Sequence, residues 1–475
     1  MPLFESLNPD SATVGDEAVQ GDRERVMASL SESRLGTVRS LIRSAPDTAI
    51  RDLEAALSSG AQSHENMRLV QQMVVAEAID RRSRGAVFAP LVRLCPSRSG
   101  SPYGPSFPLA VLVQLWNGLR EEAPREVAVI VAAISDPDFG APSPAKLDGL
   151  CLKAAAGLRA RSNPGYLAAA EALDRVEGLS VELFCGYLDL APLARSALER
   201  LPEWVGRLNE ERAAAARLAF RDAAEGAEDA GPRLMEILYA HLSEPWLVLR
   251  LISAVMHRPA DRYLATSEMA SFGERLMDDL DARLAAINSF DAEQGSAAGA
   301  AVGAAVRTSA VEVQEFEESI ELSPQGPWGS RLIRLRRALA LAIEGRLKMV
   351  EAEVGAALPV QKSMRSRSTR GHPQLGQDPD PRLVTRARAY LMLMNQSRAA
   401  ADRLGFGALW NKVAEGVHGR LDTYVEDLLE KLRNVEECED PDRVRHYLDI
   451  AAEFLGLVSD DKAAQIVRRR VAAAA

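Results

Sequence analysis

Large apolar residues recur at steps of three or four along most of this sequence, a spacing that keeps one face of an α-helix away from water. Charged residues fill many of the positions between them. A strand would instead need strict alternation of apolar and polar residues, and no segment sustains that pattern. Three long helices are therefore predicted on the apolar sets Met269, Phe272, Leu276, Leu280, Leu284, Ile287 and Phe290; Leu332, Leu335, Leu339, Ile343, Leu347, Val350 and Val354; and Leu409, Val413, Val417, Leu421, Tyr424, Leu428 and Leu432.

Composition supports the same fold class. Hydrophobic residues make up 47% of the 475 residues but aromatic residues only 5%, so Ala, Leu and Val must supply most of the apolar surface. These residues favour helix packing over strands. Because a single core stops growing at roughly 250–300 residues, several domains or an extended array are expected. We predict an all-α protein whose antiparallel helical hairpins form an elongated multi-helix bundle or an irregular α-solenoid.

Proline, glycine and serine mark the candidate boundaries. The stretch around Cys95–Pro105 is too rich in proline and glycine to hold a helix. Arg365, Arg367 and Arg370 alternate with serines in a segment without apolar groups that could offset the cost of ordering. The predicted regions are a loose tail at 1–20, helices at 21–95, a loop at 96–107, a central helical array at 108–358, a flexible basic linker at 359–381 and a C-terminal helical module at 382–475.

Residue pairs in the sequence also predict where several helices begin. The pairs Ser143-Pro144, Asn163-Pro164 and Asp440-Pro441 place an N-cap acceptor before a proline at the first helical position. The apolar run from Val127 to Ile134 follows Pro124 in the same way, so we interpret it as a short buried helix and not as a strand.

Gly295, Gly299 and Gly303 stand four residues apart in an alanine-rich stretch. Small residues at this spacing allow two helix backbones to approach closely. The stretch is too short to span a membrane. We therefore predict close packing inside the fold, with homo-oligomerisation as the alternative.

The net charge of −10 bears on partners and location. An acidic chain repels nucleic acid and anionic membranes unless a local patch overrides the average, so a protein partner is expected. The most apolar stretch, Leu234 to Met256, contains charged residues and a proline and is interpreted as two buried helices, so integral membrane insertion is not expected. The first residues lack a secretory signal, which predicts a cytoplasmic protein. High Arg and Ala usage is typical of GC-rich bacterial genes.

Motifs for catalysis and cofactor binding are absent. The sequence has neither a phosphate-binding glycine loop nor the nucleophile and zinc motifs of common hydrolases. Glu415 and His418 form one ExxH step with Asp422 a turn further on, whereas helical di-iron sites use that step twice. Four separated cysteines, Cys95, Cys151, Cys185 and Cys438, are interpreted as buried thiols. We assign no catalytic, cofactor-binding or metal-binding residue.

One helix carries a candidate binding patch. Trp328 is followed by Arg331, Arg334 and Arg337, which the helical period places on one face. A helix that begins with Trp and carries an Arg face is typical of an anion or membrane contact. A solvated charged face is the alternative, since acidic residues follow downstream.

These observations favour a non-catalytic scaffold or adaptor that uses helical surfaces to assemble a cytoplasmic protein complex. Two alternatives remain open at this stage. One is an all-helical enzyme whose site forms only when scattered side chains converge in three dimensions. The other is a peripheral membrane organiser that uses the Trp328–Arg337 helix.

Overall fold

A computed structural model of the chain describes residues 32–58, 65–96, 105–206, 209–227, 229–256, 259–362, 371–434 and 440–474. Regular structure in these ranges is almost entirely helical, so the predicted all-α multi-helix fold is confirmed. No helix among them combines the length and the apolar character that a membrane span requires. The tail predicted at 1–20 lies outside these ranges, as do Cys438 and most of the loop predicted at 96–107.

The chain divides into two compact units, and the first comprises the described residues up to Pro202 together with Leu218–His241. Short 3-10 turns at Val92–Leu94 and Pro137–Phe139 interrupt its helices. Those helices are α1 (Glu32–Ser44), α2 (Asp47–Ser58), α3 (Glu65–Val87), α4 (Leu109–Glu122), α5 (Pro124–Ser135), α6 (Pro144–Ala160), α7 (Pro164–Asp174), α8 (Val181–Asp189), α9 (Ala191–Trp204) up to Pro202, the second half of α10 (Glu210–Gly226), and α11 (Ala230–Ala240).

Glycines bring helices of the first unit together around one aromatic ring. Tyr166 of α7 is fully buried. A Cβ atom at Gly157 would lie 2.2 Å from the Tyr166 ring, and one at Gly165 would lie 2.5 Å from the backbone nitrogen of Gly118. Both distances are far below van der Waals contact, so α4, α6 and α7 can pack here only because these positions lack side chains.

Arg195 of α9 closes the C-terminal end of α3. Its guanidinium donates hydrogen bonds to the carbonyl oxygens of Val87 at 2.7 Å and Ala86 at 3.1 Å, and to Asp148 Oδ1 at 2.8 Å. The last carbonyls of a helix have no partner within the helix. The Arg195 side chain, which is 11% exposed, satisfies two of them here while Asp148 balances its charge.

The second unit comprises Glu203–Arg217 and the described residues from Leu242 onward. Besides the end of α9 and the first half of α10, its elements are α12 (Val248–Val255), α13 (Asp261–Leu264), α14 (Ala270–Asn288), α15 (Ser296–Ser319), α16 (Pro327–Ala357), β1 (Val360–Lys362), β2 (Gly371–Pro373), α17 (Pro381–Ser397), α18 (Ala401–Leu404), α19 (Gly407–Arg433), α20 (Pro441–Val458) and α21 (Asp461–Ala474). Helix α17 contacts α15, α16 and α20, and α19 packs on α16 and α20.

The three predicted apolar stripes form the inner faces of α14, α16 and α19. Most of their residues are buried, including Leu276, Ile343 and Val417, each with no measurable exposure. The run from Val127 to Ile134 is helical, within α5, as the sequence analysis proposed. The stretch from Leu234 to Met256 contains the end of α11 and all of α12, two short helices joined by a 3-10 turn.

The glycine series lies at the contact between α15 and α17. A Cβ atom at Gly299 would lie 2.0 Å from the carbonyl oxygen of Ala389, and one at Gly303 would lie 2.3 Å from Gln396 Cβ. Gly295 caps α15 with a φ of 80°, a left-handed conformation that favours glycine. The close packing inside the fold that the spacing predicted is therefore present, and we name this contact the glycine seam.

The region predicted as a linker at 359–381 is partly ordered. Strands β1 and β2 pair antiparallel, with Val360 opposite Pro373. Beyond the hairpin, Arg443 donates to the carbonyl oxygen of Leu375 at 3.0 Å and to Asp378 at 2.8 Å. The arginines at 365, 367 and 370 lie outside the described residues.

The C-terminal helices do not form the separate module predicted at 382–475. They belong to the same compact unit as α14, α15 and α16. The reason is the buried surface of α17, where Leu391, Leu393 and Met394 have no measurable exposure in a helix that packs against α15, α16 and α20. A local run of polar residues marks a surface segment, but it carries no information about what packs on either side of it.

Candidate functional site

Helix α16 carries the four residues that the sequence singled out, and in its first turn Trp328 and Gly329 are buried. Pro327 occupies the first helical position, where a missing N–H costs nothing. The Trp328 ring is fully buried and packs edge-on against Phe316, with 6.2 Å between ring centroids. Its Nε1 donates to Glu274 Oε1 at 2.8 Å. Trp328 is therefore a core residue that fixes α16 against α14.

Arg331 is held by a ring of carboxylates on α14. Its Nη1 donates to Glu274 at 2.8 Å, and its Nη2 donates to Asp278 and Asp281 at 2.6 Å each. Burial alone lowers the pKa of Arg331, but the hydrogen bonds to the two aspartates outweigh it and the pKa is raised. The guanidinium is committed to these contacts.

The structure thus separates the predicted patch into two pairs. Trp328 and Arg331 face α14 inside the fold, which corrects the idea that a surface tryptophan anchors this helix to a membrane. Arg334 and Arg337 are exposed and form no ion pair within the described residues. The sequence could not separate the pairs, because the covering partner of Trp328 is an acidic helix some fifty residues earlier.

A different set of residues surrounds the exposed pair. Ile333 is 54% exposed and Leu341 is 59% exposed, and with Arg337 they follow one another at steps of four. Steps of four keep side chains on one side of a helix, over a length of about 12 Å from Ile333 to Leu341. We call Ile333, Arg334, Arg337 and Leu341 the α16 outer face.

A hollow of about 480 Å³ adjoins the α16 outer face. Its walls come from the end of α15, the loop that precedes α16, the first four turns of α16 and α18. Apolar side chains dominate its walls, among them Leu322, Pro324, Leu332, Ile333, Ala340 and Leu404. Arg337 stands at the same hollow without a carboxylate partner in the described part of the chain.

Arg336 holds the walls of this hollow together. Its Nη1 donates to Glu317 Oε1 at 2.7 Å, and its Nη2 donates to the carbonyl oxygen of Arg403 at 2.9 Å. One side chain therefore joins the end of α15, α16 and α18, so the hollow is fixed in place before anything binds there.

The side chains around this hollow are of kinds that can bind a partner surface. Large aliphatic side chains offer surface that gains free energy on leaving water, at roughly 25 cal/mol per Å². Free guanidinium groups beside them attract carboxylates and give the contact a preferred sign of charge. Sequence reasoning missed Ile333 and Leu341. Both are large apolar residues that fall outside the buried stripe of α16, and their position outside the stripe could have indicated an exposed apolar surface.

The ExxH step does not assemble a ligand set. His418 Nε2 lies 3.2 Å from Asp422 Oδ2, and its Nδ1 lies 3.0 Å from Ser459 Oγ. Glu415 is exposed on the same helix. Within the described ranges, no group of three or more His, Cys, Asp and Glu side chains is placed to hold a metal ion.

The described cysteines are buried in the first unit. Burial raises the pKa of Cys151 and of Cys185 to about 12. The Cys151 thiol donates to the carbonyl oxygen of Val87 at 3.1 Å. Because a thiolate is the reactive form, these two side chains have the character of packing residues.

Comparison with known proteins adds no assignment to this geometry: no family model, no curated protein and no solved structure matches the chain.

Proposed function

We propose that this chain is a non-catalytic adaptor that binds an amphipathic helix of a partner protein along the α16 outer face. The observation that carries the proposal is the pairing of two large, mostly exposed aliphatic residues, Ile333 and Leu341, with a preformed apolar hollow beside them. A groove next to a helix accepts the apolar side of a second helix, with side chains at steps of three or four as anchors.

The positive charge of the α16 outer face specifies the partner further. Arg334 and Arg337 flank the apolar residues and have no ion pair in the described structure. A partner helix with Asp or Glu beside its apolar stripe satisfies both guanidinium groups, whereas a basic helix is repelled. The proposed occupant is therefore an acidic amphipathic helix.

Site-specific crosslinking in the cells that express the protein tests this proposal. A photoreactive phenylalanine analogue replaces Leu341, and a matched probe replaces Leu167 on α7, which is 44% exposed. We expect the probe at position 341 to capture one discrete partner, joined at a peptide with acidic residues flanking a helical apolar stripe. The probe at position 167 should not capture that partner.

A charge-reversal pair then tests the recognition itself. Arg337→Glu should weaken capture at position 341, mainly through slower association, with the larger effect at low salt. Arg125→Glu on α5 is the matched control, because Arg125 is exposed and also lacks an ion pair in the described structure. A crosslink to lipid, a crosslink to a second copy of this chain, or no crosslink at either probe would overturn the proposal.

A further inference from the structure

A second hollow lies in the first unit, away from any residue singled out so far. It has a volume of about 720 Å³ and opens where the end of α1 meets the start of α2, with α3 and α4 as its other walls. This volume is within the range of small-molecule sites, roughly 300–1,000 Å³. Five arginines and three carboxylates line it: Arg39, Arg43, Arg81, Arg84, Arg120, Asp47, Glu77 and Asp80.

The three carboxylates in this hollow are already bound. Arg81 donates to Asp47 at 2.7 Å and to Glu77 at 2.8 Å. Asp80 accepts hydrogen bonds from Trp116 Nε1 at 2.9 Å and from Arg120 at 3.2 Å. The acidic groups are thus committed to two of the five arginines and to a tryptophan.

Arg81 also has a structural task. It donates to the carbonyl oxygens of Ile42 and Arg43 at 3.1 Å each and of Ala45 at 2.8 Å, and its side chain is only 11% exposed. It therefore closes the C-terminal end of α1 and sets the angle at which α2 begins. This guanidinium has no donors to spare for a ligand.

Three arginines remain uncommitted. Arg84, Arg39 and Arg43 form no hydrogen bond or ion pair through their side chains within the described residues. Arg84 is half-buried, and burial lowers its pKa in spite of the attraction of Asp47 and Asp80. A half-buried guanidinium that forms no hydrogen bond within the described residues is costly even with Asp47, Asp80 and Glu77 nearby, and a ligand that accepts its hydrogen bonds would offset that cost.

The donors in this hollow define the chemistry of a ligand. Each guanidinium presents five N–H donors in a planar fork that matches the oxygens of phosphate and carboxylate groups. Three such forks exceed what a single carboxylate, with about four lone-pair sites, can accept. Two linked phosphoryl groups supply enough oxygens, and the apolar side chains of Ile42, Met73, Leu109 and Val113 on the same walls suit a nonpolar body.

We propose that this hollow, which we name the Arg84 site, binds a small molecule that carries a diphosphate group, with Arg84, Arg43 and Arg39 as its ligands. The site belongs to the other compact unit and does not depend on the α16 outer face. The diphosphate is either a free ion or part of a larger molecule such as a nucleoside diphosphate.

Isothermal titration calorimetry of the full chain with inorganic pyrophosphate tests the Arg84 site. Arg84→Met removes the guanidinium and keeps an apolar stem, and we expect it to weaken pyrophosphate binding about tenfold or more. Arg68→Met is the matched control on the same helix, since Arg68 is exposed and lies outside the hollow. It should change the affinity less than twofold.

Two further ligands distinguish the sources of the phosphoryl groups. Tighter binding of ADP than of pyrophosphate indicates a ligand with a body that uses the apolar walls, and equal binding indicates the free ion. Tighter binding of citrate than of either phosphate compound would refute the choice of phosphate over carboxylate.

A stability measurement separates binding from folding. Removing an unpartnered guanidinium relieves a cost, so Arg84→Met without ligand should melt at or above the temperature of the unmodified protein. Pyrophosphate should raise the melting temperature of the unmodified protein but not of this variant. Arg43→Gln, at an exposed position, provides a second variant with no effect on packing. The proposal is wrong if pyrophosphate at millimolar concentration does not bind, or if the Arg84, Arg43 and control variants bind it equally.

Discussion

At the glycine seam between α15 and α17, we expect a Gly→Ala substitution to lower the stability of the fold, whereas the same substitution in an exposed helix raises it. Replacing glycine by alanine inside an exposed helix stabilises it by up to about 1 kcal/mol, because the backbone loses less entropy on folding. At Gly299 the added Cβ would lie 2.0 Å from the carbonyl oxygen of Ala389. Ordinary contact between these atoms needs more than 3 Å, so the two helices must move apart by about 1 Å at this point.

The magnitude follows from these two opposing effects. Overpacking of this kind costs about 1–3 kcal/mol, which exceeds the gain in helix propensity. Gly299→Ala should therefore destabilise the second unit by about 1–2 kcal/mol. Gly345→Ala on α16 is the control, because nothing lies within 4 Å of a Cβ atom there. That variant should instead gain up to about 1 kcal/mol.

Differential scanning calorimetry measures the contrast. One kcal/mol shifts the melting temperature by about 2–4 °C in a folding unit of 150–250 residues, so the two variants, which differ by about 1–3 kcal/mol, should differ by roughly 2–12 °C in the transition of the second unit. The same variants should leave the transition of the first unit unchanged. If Gly299→Ala melts as high as Gly345→Ala, α15 and α17 do not approach as closely as described and the argument from glycine spacing fails.

Three other substitutions and one alkylation reaction probe the packing. The buried Tyr424 hydroxyl has no hydrogen-bond partner among the residues that the structure describes, so Tyr424→Phe should stabilise the protein by about 1 kcal/mol. Tyr447→Phe loses a 3.2 Å hydrogen bond to a carbonyl oxygen and should destabilise the protein by about 0.5–1.5 kcal/mol, and thermal melts measure both changes. Arg195→Met removes the donor to Asp148 and to the Ala86 carbonyl and leaves the Val87 carbonyl with the Cys151 thiol alone, so it should cost about 3 kcal/mol or more in denaturant titrations; a loss below 1 kcal/mol would show that water replaces the guanidinium. Burial raises the folded pKa of Cys151 and Cys185 from the ordinary 9.0 to about 12, so the stability that their protonated thiols contribute is fully present below pH 9 and is lost progressively as the pH rises from 9 to 12. Mass spectrometry should find both unalkylated by iodoacetamide at pH 8 in the native protein and modified after unfolding.

The positions of the helices could be predicted well from local sequence patterns. The apolar steps that predicted α14, α16 and α19 depend only on the period of a helix. Asn163 and Asp440 act as the N-caps that their following prolines suggested, accepting from the N–H of Tyr166 at 3.1 Å and of Arg443 at 3.0 Å. Ser143 precedes a proline in the same way but makes no such side-chain bond, because the backbone alone can begin a helix there.

Contacts between distant segments were not readable in the same way. The glycine series indicated that some helix comes close, but nothing in it named Ala389 or Gln396 as the neighbours. The Trp328 helix has an amphipathic pattern whether its tryptophan faces water, lipid or another helix, and only the carboxylates of α14 decide between these. The Arg84 site draws on residues from four helices, and no motif joins arginines separated by forty positions.

The glycine seam also sets an order of events during synthesis. Gly303 leaves the ribosome well before Gln396, its neighbour across the seam, and at about 5–20 residues per second the interval is roughly 5–20 s. During that time α15 has no partner for its glycine face and α16 lacks one of the helices that cover it. The second unit therefore completes its core only after its C-terminal helices have been made, so a nascent chain halted before α17 is exposed to proteases and chaperones in a way that the finished protein is not.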